Sequence, residues 1–326
     1  MPTKQLPSRD DLVICFAHVA YRMGDAFARR ETGIKWFEVR SAEELRTAAS
    51  RAHVVVTSGF WRNELLDEGP NLCFVQSISA GTDQYDKERF REKGVRLASA
   101  KGVNARAVAE HAMSLILALS RQLHTGRDNQ RAKHWRGMIG DPAAREDELG
   151  GKTLLIVGLG SIGNRLAQIA KAFDLNVIAT RRDPATGAGA ADRVYAQSEL
   201  PALLPQADIV ALTCPLTPET ENLIDARAFS LMKPSAHLIN VARGKVVDED
   251  ALVAALAEGR IAAAGIDVTR EEPLPASSPL WSMPNVLLTP HTAGETRRYE
   301  DNVLDILMEN LERLWRGEKE LRNQVV

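Results

Sequence analysis

The chain has 326 residues, of which 44% are hydrophobic and 26% charged, with a formal net charge of -2 at pH 7. This balance is typical of a globular protein of two domains, and it predicts no electrostatic attraction to nucleic acid or to an anionic membrane. The three cysteines, Cys15, Cys73 and Cys214, have neither disulfide nor zinc-site spacing. The first ten residues lack the apolar core of a signal peptide, which favours a cytoplasmic protein.

The first hundred residues alternate strand-like segments with helical ones, such as residues 41–49. Alternation of this kind predicts a parallel sheet covered by helices. The predicted strands are residues 12–17, 35–39, 53–57, 73–78 and 95–98.

A long helix is predicted next, over residues 105–123. Its middle is apolar nearly all round, which predicts burial on both sides, between domains or at a dimer contact. Glu110 and His111 on this helix resemble a catalytic pair. We expect a structural role for them, because a buried helix here is distant in sequence from the other candidate sites.

A second alternating series begins at Lys152, and it predicts a doubly wound nucleotide-binding domain. Its predicted strands are residues 153–157, 176–180, 208–213, 237–241, 263–268 and 286–289. Residues 158–163 read Gly-Leu-Gly-Ser-Ile-Gly, directly after the first of these strands and before an amphipathic helix. Such a turn brings a pyrophosphate close to the backbone and to the positive end of the helix. The residues predicted to bind it are Gly158, Gly160, Ser161, Ile162 and Gly163.

The second strand of this series runs into Thr180, Arg181 and Arg182, where an NAD-binding domain has an acidic residue for the ribose hydroxyls. Guanidinium groups suit a 2′-phosphate, and a carboxylate repels it. We therefore predict that these residues bind the cofactor and that NADP(H) is preferred. NAD(H) remains possible if Asp183 turns back to the ribose.

Three further strands of the same series are followed by Arg243, Glu272 and His291. Each residue alone could have a structural role: Arg243 in a surface ion pair, Glu272 as a solvated acid of a loop, and His291 as a capping residue. Together they form the set needed to reduce a 2-keto acid. Arg243 can hold the carboxylate and polarise the ketone, His291 can donate a proton, and Glu272 can hold the imidazole as a cation.

Several motifs make the chain resemble the D-isomer-specific 2-hydroxyacid dehydrogenase family. They are the glycine turn at 158–163, Cys-Pro-Leu-Thr-Pro-Glu-Thr at 214–220, Asn-Val-Ala-Arg-Gly-Lys-Val-Val-Asp at 240–248, Gly-Ile-Asp-Val at 265–268 and Thr-Pro-His-Thr-Ala-Gly at 289–294. Within that family, residues 262–275 look most like those of glyoxylate/hydroxypyruvate reductases, which often use NADPH.

The resemblance implies an α/β fold with two doubly wound parallel-sheet domains and a cleft between them. A flavodoxin-like substrate domain would take residues 1–104 with 292–326, and a Rossmann domain would take residues 105–291. It also implies a homodimer formed around and after the long helix, where Trp135 could reach the partner's pocket. Trp281, Tyr299 and the pair Phe60-Trp61 are further candidates for the substrate pocket.

Site residues follow from the same resemblance. Arg243, Glu272 and His291 match the catalytic residues, and Ser79, Ala80 and Gly81 match a loop that binds the substrate carboxylate through its amides. Thr82 departs from the valine or isoleucine that is usual there. No metal is implied. The remaining residues that match the cofactor site are Cys214, Pro215, Thr220, Val241, Ala242, Asp267, Ala293 and Gly294, with Arg243 and His291 shared between both sites.

The sequence therefore predicts NAD(P)H-dependent reduction of a small 2-keto acid, of the glyoxylate or hydroxypyruvate type, to a D-2-hydroxy acid. One alternative is a larger 2-keto acid or a phosphoglycerate-type substrate, because Arg62 could meet a second anion. The other is a non-catalytic nucleotide-sensing scaffold, because transcriptional co-repressors share this fold.

Overall fold

The computed structural model describes residues 3–326, which divide into two compact units. One unit comprises the chain up to Val103 together with Thr296–Val326, and the other comprises Asn104–Glu295. The predicted domain boundaries, after residues 104 and 291, differ from these by one residue and by four residues.

The chain alternates strands and helices throughout. The strands are Val13–Ala17 (β1), Lys35–Val39 (β2), Val54–Thr57 (β3), Phe74–Ser77 (β4), Arg96–Ala98 (β5), Thr153–Val157 (β6), Asn176–Arg181 (β7), Arg193–Ala196 (β8), Ile209–Leu212 (β9), His237–Asn240 (β10), Ala263–Ile266 (β11) and Val286–Leu288 (β12). The α-helices are Met23–Ala28 (α1), Ala42–Ala48 (α2), Leu65–Glu68 (α3), Lys87–Lys93 (α4), Ala105–Ser120 (α5), Leu123–Arg131 (α6), Ser161–Lys171 (α7), Leu200–Leu203 (α8), Ala226–Leu231 (α9), Glu249–Ala257 (α10) and Tyr299–Trp315 (α11).

The first unit is a five-stranded parallel sheet in the order β2-β1-β3-β4-β5, which is the flavodoxin-like order. Its central strands are buried on both faces, which is why they read as continuous apolar runs. One face packs against the apolar side of α11, including Val303 and Leu307. The other face packs against a cluster that includes Trp61 and Phe90. Trp61, a candidate pocket residue, is therefore part of the core.

The second unit is a seven-stranded parallel sheet in the order β12-β11-β10-β9-β6-β7-β8. Counted from β6, this is the order of a Rossmann fold with one added strand. The predicted fold class is confirmed. The strand order reverses between β6 and β9, and ligands of such sheets bind at the carboxyl ends of the strands near this point.

The predicted helix over residues 105–123 is two helices. α5 ends at Ser120, Gln122 has a left-handed backbone with φ of 49°, and α6 begins at Leu123. α5 buries one face, through residues such as Val108 and Leu115, whereas Glu110 and Ser114 on its other face are exposed, so the predicted burial on both sides is not seen among the described residues. In contrast, α6 buries none of its side chains in the described structure. Among the helices of residues 3–326, none is long and apolar enough to cross a membrane.

Candidate active site

The glycine turn between β6 and α7 requires glycine at two positions. Gly158 has φ of 100°, and a Cβ there would lie 2.6 Å from the backbone of Cys214. A Cβ on Gly163 would lie 2.7 Å from the carbonyl oxygen of Gly158. Gly160 caps α7, and the first amides of a helix, here those of Ser161 and Ile162, have no acceptor within it. The turn therefore forms a backbone cradle suited to a pyrophosphate.

Thr180 supports this turn from behind. The amides of Gly158 and Leu159 donate to the Thr180 carbonyl at 3.0 and 2.8 Å. The Thr180 side chain is fully buried, and its hydroxyl donates to Oε1 of Gln197 at 3.0 Å. The Thr180 carbonyl thus supports the turn while its hydroxyl is buried against Gln197, and binding of the cofactor by Thr180 stays a prediction.

The predicted turn after β9 is likewise held by its own side chains. Thr220 Oγ1 accepts a hydrogen bond from the Thr217 amide at 2.8 Å and donates to the Pro215 carbonyl at 2.7 Å. Burial raises the pKa of the Cys214 thiol to about 11, so the side chain stays protonated near neutral pH. Cys214 packs against the glycine turn and is not a nucleophile.

The charged residues after β7 are placed differently from one another. Asp183 accepts a hydrogen bond from the Ala185 amide at 3.0 Å and caps a short 3₁₀ turn. Arg181 donates to the Gly187 carbonyl at 2.8 Å, which uses one of its five N–H groups. Arg182 is exposed. Asp183 thus uses one carboxylate oxygen to cap the turn, and guanidinium N–H groups of both arginines remain available beside the strand end.

Glu272 and His291 form a hydrogen-bonded pair. Oε2 of Glu272 lies 2.7 Å from Nδ1 of His291, and Oε1 accepts from the Thr269 amide at 3.2 Å. Because an ionised carboxylate only accepts, Nδ1 carries the proton. Nε2 has no hydrogen-bond partner among the described residues, which leaves it available to a ligand. His291 also has φ of 56°, an uncommon conformation that its amide supports by donating to the Asp267 carbonyl at 2.8 Å.

Asp267 organises the loop that carries His291. Its side chain is only 2% exposed. Oδ1 accepts from the Thr289 hydroxyl at 2.7 Å and from the Thr292 amide at 3.0 Å, and Oδ2 accepts from the Ala293 amide at 3.2 Å. Bonds on both sides of His291 fix the backbone from which the imidazole projects.

Arg243 follows β10 and is exposed. The Asn240 side chain braces its loop by accepting from the Ala242 amide and donating to the Arg243 carbonyl, both at 3.1 Å. Gly244 packs directly on the Thr269 carbonyl, where a Cβ would collide with it. The loop of Arg243 and the segment that leads to Glu272 are therefore packed together, and the neighbouring Val241 and Ala242 are buried.

A cavity of about 560 Å³ lies beside the Glu272–His291 pair. Its walls are mostly apolar and include the acidic Asp267 and Glu272 and the basic His291, which is the usual make-up of a small-molecule site. Trp281, a candidate pocket residue, is among its lining residues, which are Asp267, Thr269, Glu272, Pro273, Leu274, Trp281, Leu288, Thr289, Pro290 and His291.

The predicted substrate loop follows β4 in the first unit. The side chain and the backbone carbonyl of Ser79 are both held by hydrogen bonds. Its Oγ lies 2.6 Å from Oγ of Ser58, and its carbonyl accepts from the Ala100 amide at 3.0 Å. The amides of Ala80 and Gly81 have no acceptor within residues 3–326. Two free adjacent amides are suited to bind an anion.

The comparisons with known proteins agree with this geometry. Residues 113–293 match the family model described as "D-isomer specific 2-hydroxyacid dehydrogenase, NAD binding domain". The chain belongs to this family. It is accordingly an oxidoreductase that uses a nicotinamide cofactor.

Individual relatives extend the similarity to most of the chain. Glyoxylate/hydroxypyruvate reductase B of Escherichia fergusonii is 40% identical over 251 residues, which cover 76% of each protein. The protein of the same description from Yersinia enterocolitica is 36% identical over 272 residues, covering 82% of each. A crystal structure of a protein from Thermus thermophilus superposes with a TM-score of 0.83 at 32% identity, covering 97% of this chain and all of the other.

One residue of the site was assigned only a structural role from sequence. His111, on α5, places Nε2 2.9 Å from Oγ1 of Thr289, although 178 positions separate the two residues. A histidine beside a glutamate on a largely apolar helix was the available signal. Its partner is set by the packing of α5 on the sheet, which the sequence does not reveal.

Proposed function

We propose that this family member reduces a small 2-keto acid to a D-2-hydroxy acid with NAD(P)H, and that His291 donates the proton. The observation that carries the proposal is the Glu272–His291 pair at 2.7 Å, with Nε2 of His291 unbonded beside a cavity. The names of the two bacterial relatives, which are glyoxylate/hydroxypyruvate reductases, support a small substrate.

The roles of the catalytic residues follow from their chemistry. Arg243 binds the substrate carboxylate and polarises the ketone with its N–H groups. Nε2 of His291 gives its proton to the ketone oxygen while Glu272 holds the imidazolium through Nδ1, and solvent later restores the proton. A bound reduced nicotinamide supplies the hydride to the carbonyl carbon. Proton donation of this kind contributes roughly 10²–10⁴ in rate.

The cofactor assignment rests on the backbone of the second unit. The glycine turn and the free amides of α7 would hold the pyrophosphate, and Asp267 would accept from the nicotinamide amide. We assign the 2′-phosphate to Arg181 and Arg182, which makes NADPH the preferred cofactor. The remaining proposed lining of the cofactor site is Cys214, Pro215, Val241, Ala242, Ala293 and Gly294.

Two features outside the catalytic residues belong to the same proposal. The free amides of Ala80 and Gly81, with Ser79, would bind the substrate carboxylate. A homodimer would form through the segment after α5, where Trp135 and Met138 are almost fully exposed.

The experiment is a steady-state assay of nicotinamide absorbance with NADPH and NADH, each against glyoxylate, hydroxypyruvate, pyruvate and a bulky aryl 2-keto acid. We expect the highest kcat/KM with NADPH and the two smallest substrates, and a product of D configuration. Cofactor binding without turnover of any 2-keto acid would contradict the proposed reaction. Preference for the aryl substrate would contradict its assigned size, and preference for NADH would contradict the role of the arginines.

A further inference from the structure

His111 reaches the loop of His291 through two consecutive hydrogen bonds. Nε2 of His111 lies 2.9 Å from Oγ1 of Thr289, and that hydroxyl donates to Oδ1 of Asp267 at 2.7 Å. The direct distance from Nε2 to Oδ1 is 3.5 Å, which is too long for a good hydrogen bond. The contact therefore passes through the Thr289 hydroxyl.

The direction of these bonds can be derived from the groups involved. An ionised carboxylate only accepts, so the single proton of the Thr289 hydroxyl is committed to Asp267. Oγ1 then faces His111 with a lone pair, and Nε2 of His111 must carry the proton. The relay runs from His111 to Thr289 to Asp267, and each bond polarises the next one.

The two oxygens of Asp267 are left unequal by this arrangement. Oδ1 accepts from both the Thr289 hydroxyl and the Thr292 amide, whereas Oδ2 accepts only from the Ala293 amide at 3.2 Å. A carboxylate oxygen can accept about two hydrogen bonds. Oδ2 can thus accept one more hydrogen bond. The relay restrains the orientation of the Asp267 carboxylate and therefore the direction in which Oδ2 points.

The helix that carries His111 is held in place by buried side chains. The neighbouring residues Val108, Ala112 and Leu115 on α5 are buried in the core of the second unit. The helix therefore holds the imidazole at a fixed position, while Thr289 lies in the loop that begins just after β12.

We propose that His111 is a positioning residue for cofactor binding, acting through Thr289 on Asp267. Through this relay it aims Oδ2 of Asp267 at the nicotinamide amide and steadies the loop of His291. This deepens the proposed function and rests on its assignment of Asp267 to the nicotinamide amide. His111 itself takes no part in proton transfer to the substrate.

The test uses two pairs of variants and a control on the same helix. His111→Leu removes the donor and His111→Gln keeps one, while Thr289→Val removes the hydroxyl and Thr289→Ser keeps it. Glu110→Gln is the control, because Glu110 is exposed and pairs only with Arg106 at 3.1 Å. Affinity for NADPH and NADH is measured by nicotinamide fluorescence, alongside the thermal unfolding of the protein without cofactor.

We expect the Leu and Val variants to raise the cofactor Kd by up to about 10-fold, because each change breaks one hydrogen bond of the relay. The Gln and Ser variants should restore the affinity, and the control should match the wild type. Combining His111→Leu with Thr289→Val should cost no more than either change alone, because both break one relay.

Unchanged cofactor affinity in His111→Leu, or equal losses in His111→Leu and His111→Gln, would overturn the proposal. If Leu at position 111 prevents folding, the Thr289 pair tests the same relay from its other end. No 2-keto acid is needed for these readings. If the variants change the cofactor Kd as expected but no 2-keto acid is reduced, the relay is supported and the proposed reaction is wrong. If 2-keto acids are reduced but all variants have the same cofactor Kd, only the relay is wrong.

Discussion

At the end of β7, the acidic Asp183 and the basic Arg182 have different surroundings. Asp183 is engaged with the Ala185 amide, so its carboxylate serves the turn that follows. The pKa of the Glu219 carboxyl is lowered by hydrogen bonds from the Thr217 hydroxyl and its own amide, and also by the charge of Arg182. The charge of Arg182 therefore acts on a carboxylate of the 214–220 turn, which is one wall of the proposed cofactor site.

We expect Arg182→Ser to weaken NADPH binding by about 10-fold and to leave NADH binding unchanged, because only a 2′-phosphate needs the guanidinium. The KM values for both cofactors, measured with a fixed keto acid, check this. Arg260→Ser serves as the control, since Arg260 is exposed and pairs with Glu258. Equal losses for the two cofactors would contradict the assignment.

At the scale of the element, the glycine turn depends on a backbone that other residues cannot adopt. Gly158→Ala places a Cβ against the Cys214 backbone at a positive φ. We expect it to lower the free energy of unfolding by about 1–3 kcal/mol and to weaken binding of both cofactors. Chemical denaturation and nicotinamide fluorescence measure the two effects.

Gly126→Ala is the matched control, because Gly126 lies within α6 with nothing near its Cβ position. This change should leave stability the same or raise it slightly, since alanine favours helix. A Gly158→Ala protein as stable and as competent in cofactor binding as this control would show that the turn tolerates a side chain.

Asp208 joins three strands of the second sheet at their amino ends. It accepts from the Thr153 amide at 2.8 Å and from Lys233 Nζ at 2.7 Å, and its carbonyl accepts from the His237 amide at 3.0 Å. Burial alone would raise the pKa of the Asp208 carboxyl, but Lys233 and the Thr153 amide outweigh burial and lower it. The ionised form is therefore favoured in the folded state.

The sign of the pH effect follows directly. A lowered folded-state pKa stabilises the fold above the unfolded-state pKa of about 3.9, and this contribution disappears as the pH falls through the folded-state pKa. Asp208→Asn should cost about 1–2 kcal/mol in the free energy of unfolding at pH 7 and progressively less in acid. Denaturation at several pH values checks this, with exposed Asp10→Asn as the control. A cost that persists unchanged in acid would contradict the account.

The strands and helices that were predicted well are those whose bounds are marked by the local amino-acid sequence. β2 and β6 have their predicted bounds. β6 is a buried apolar run of the kind typical of parallel strands, and β2, at the sheet edge, is rich in residues that favour strands. β8 was missed, since it has only four residues at the sheet edge, of which one is exposed and three are partly buried. The break at Gln122 was also missed, because the apolar pattern passes from α5 towards Leu123 without a glycine or proline to mark it.

The site shows the same division. The contact of Glu272 with His291 could be predicted because each residue follows a strand, and the carboxyl ends of parallel strands share one edge of a sheet. The place of Arg243 in the site stays a prediction. The hydrogen bond of the Thr180 hydroxyl to Gln197 was not predicted. The contact of His111 with Thr289 depends on how α5 packs across the sheet, which local sequence patterns do not specify.

At the scale of the whole molecule, the two most exposed large apolar side chains of the described residues lie in one segment. Trp135 is 97% exposed and Met138 is fully exposed, and Leu123 at the start of α6 is also exposed. A cavity of about 720 Å³ lies among these residues. Apolar groups gathered in this way favour association, and a second copy of the chain is the proposed partner.

We expect the protein to have twice the mass of the 35.8 kDa chain in solution. Replacing Trp135 and Met138 together with glutamate should give a monomer, because two charges would be buried in an apolar contact. Sedimentation equilibrium measures the mass of both proteins. Replacing exposed Val19, which lies in the first unit, should leave the dimer intact. A dimeric double variant would place the contact elsewhere.

In the proposed reaction, His291 supplies the proton and a bound reduced nicotinamide would supply the hydride. The most direct test is the kcat of His291→Gln on glyoxylate with NADPH, measured with the NADPH Kd in the same preparation. We expect kcat to fall by roughly 10²–10⁴ with little change in Kd, because the imidazole acts on the substrate and the glycine turn holds the cofactor. A His291→Gln enzyme that retains its kcat would contradict the account.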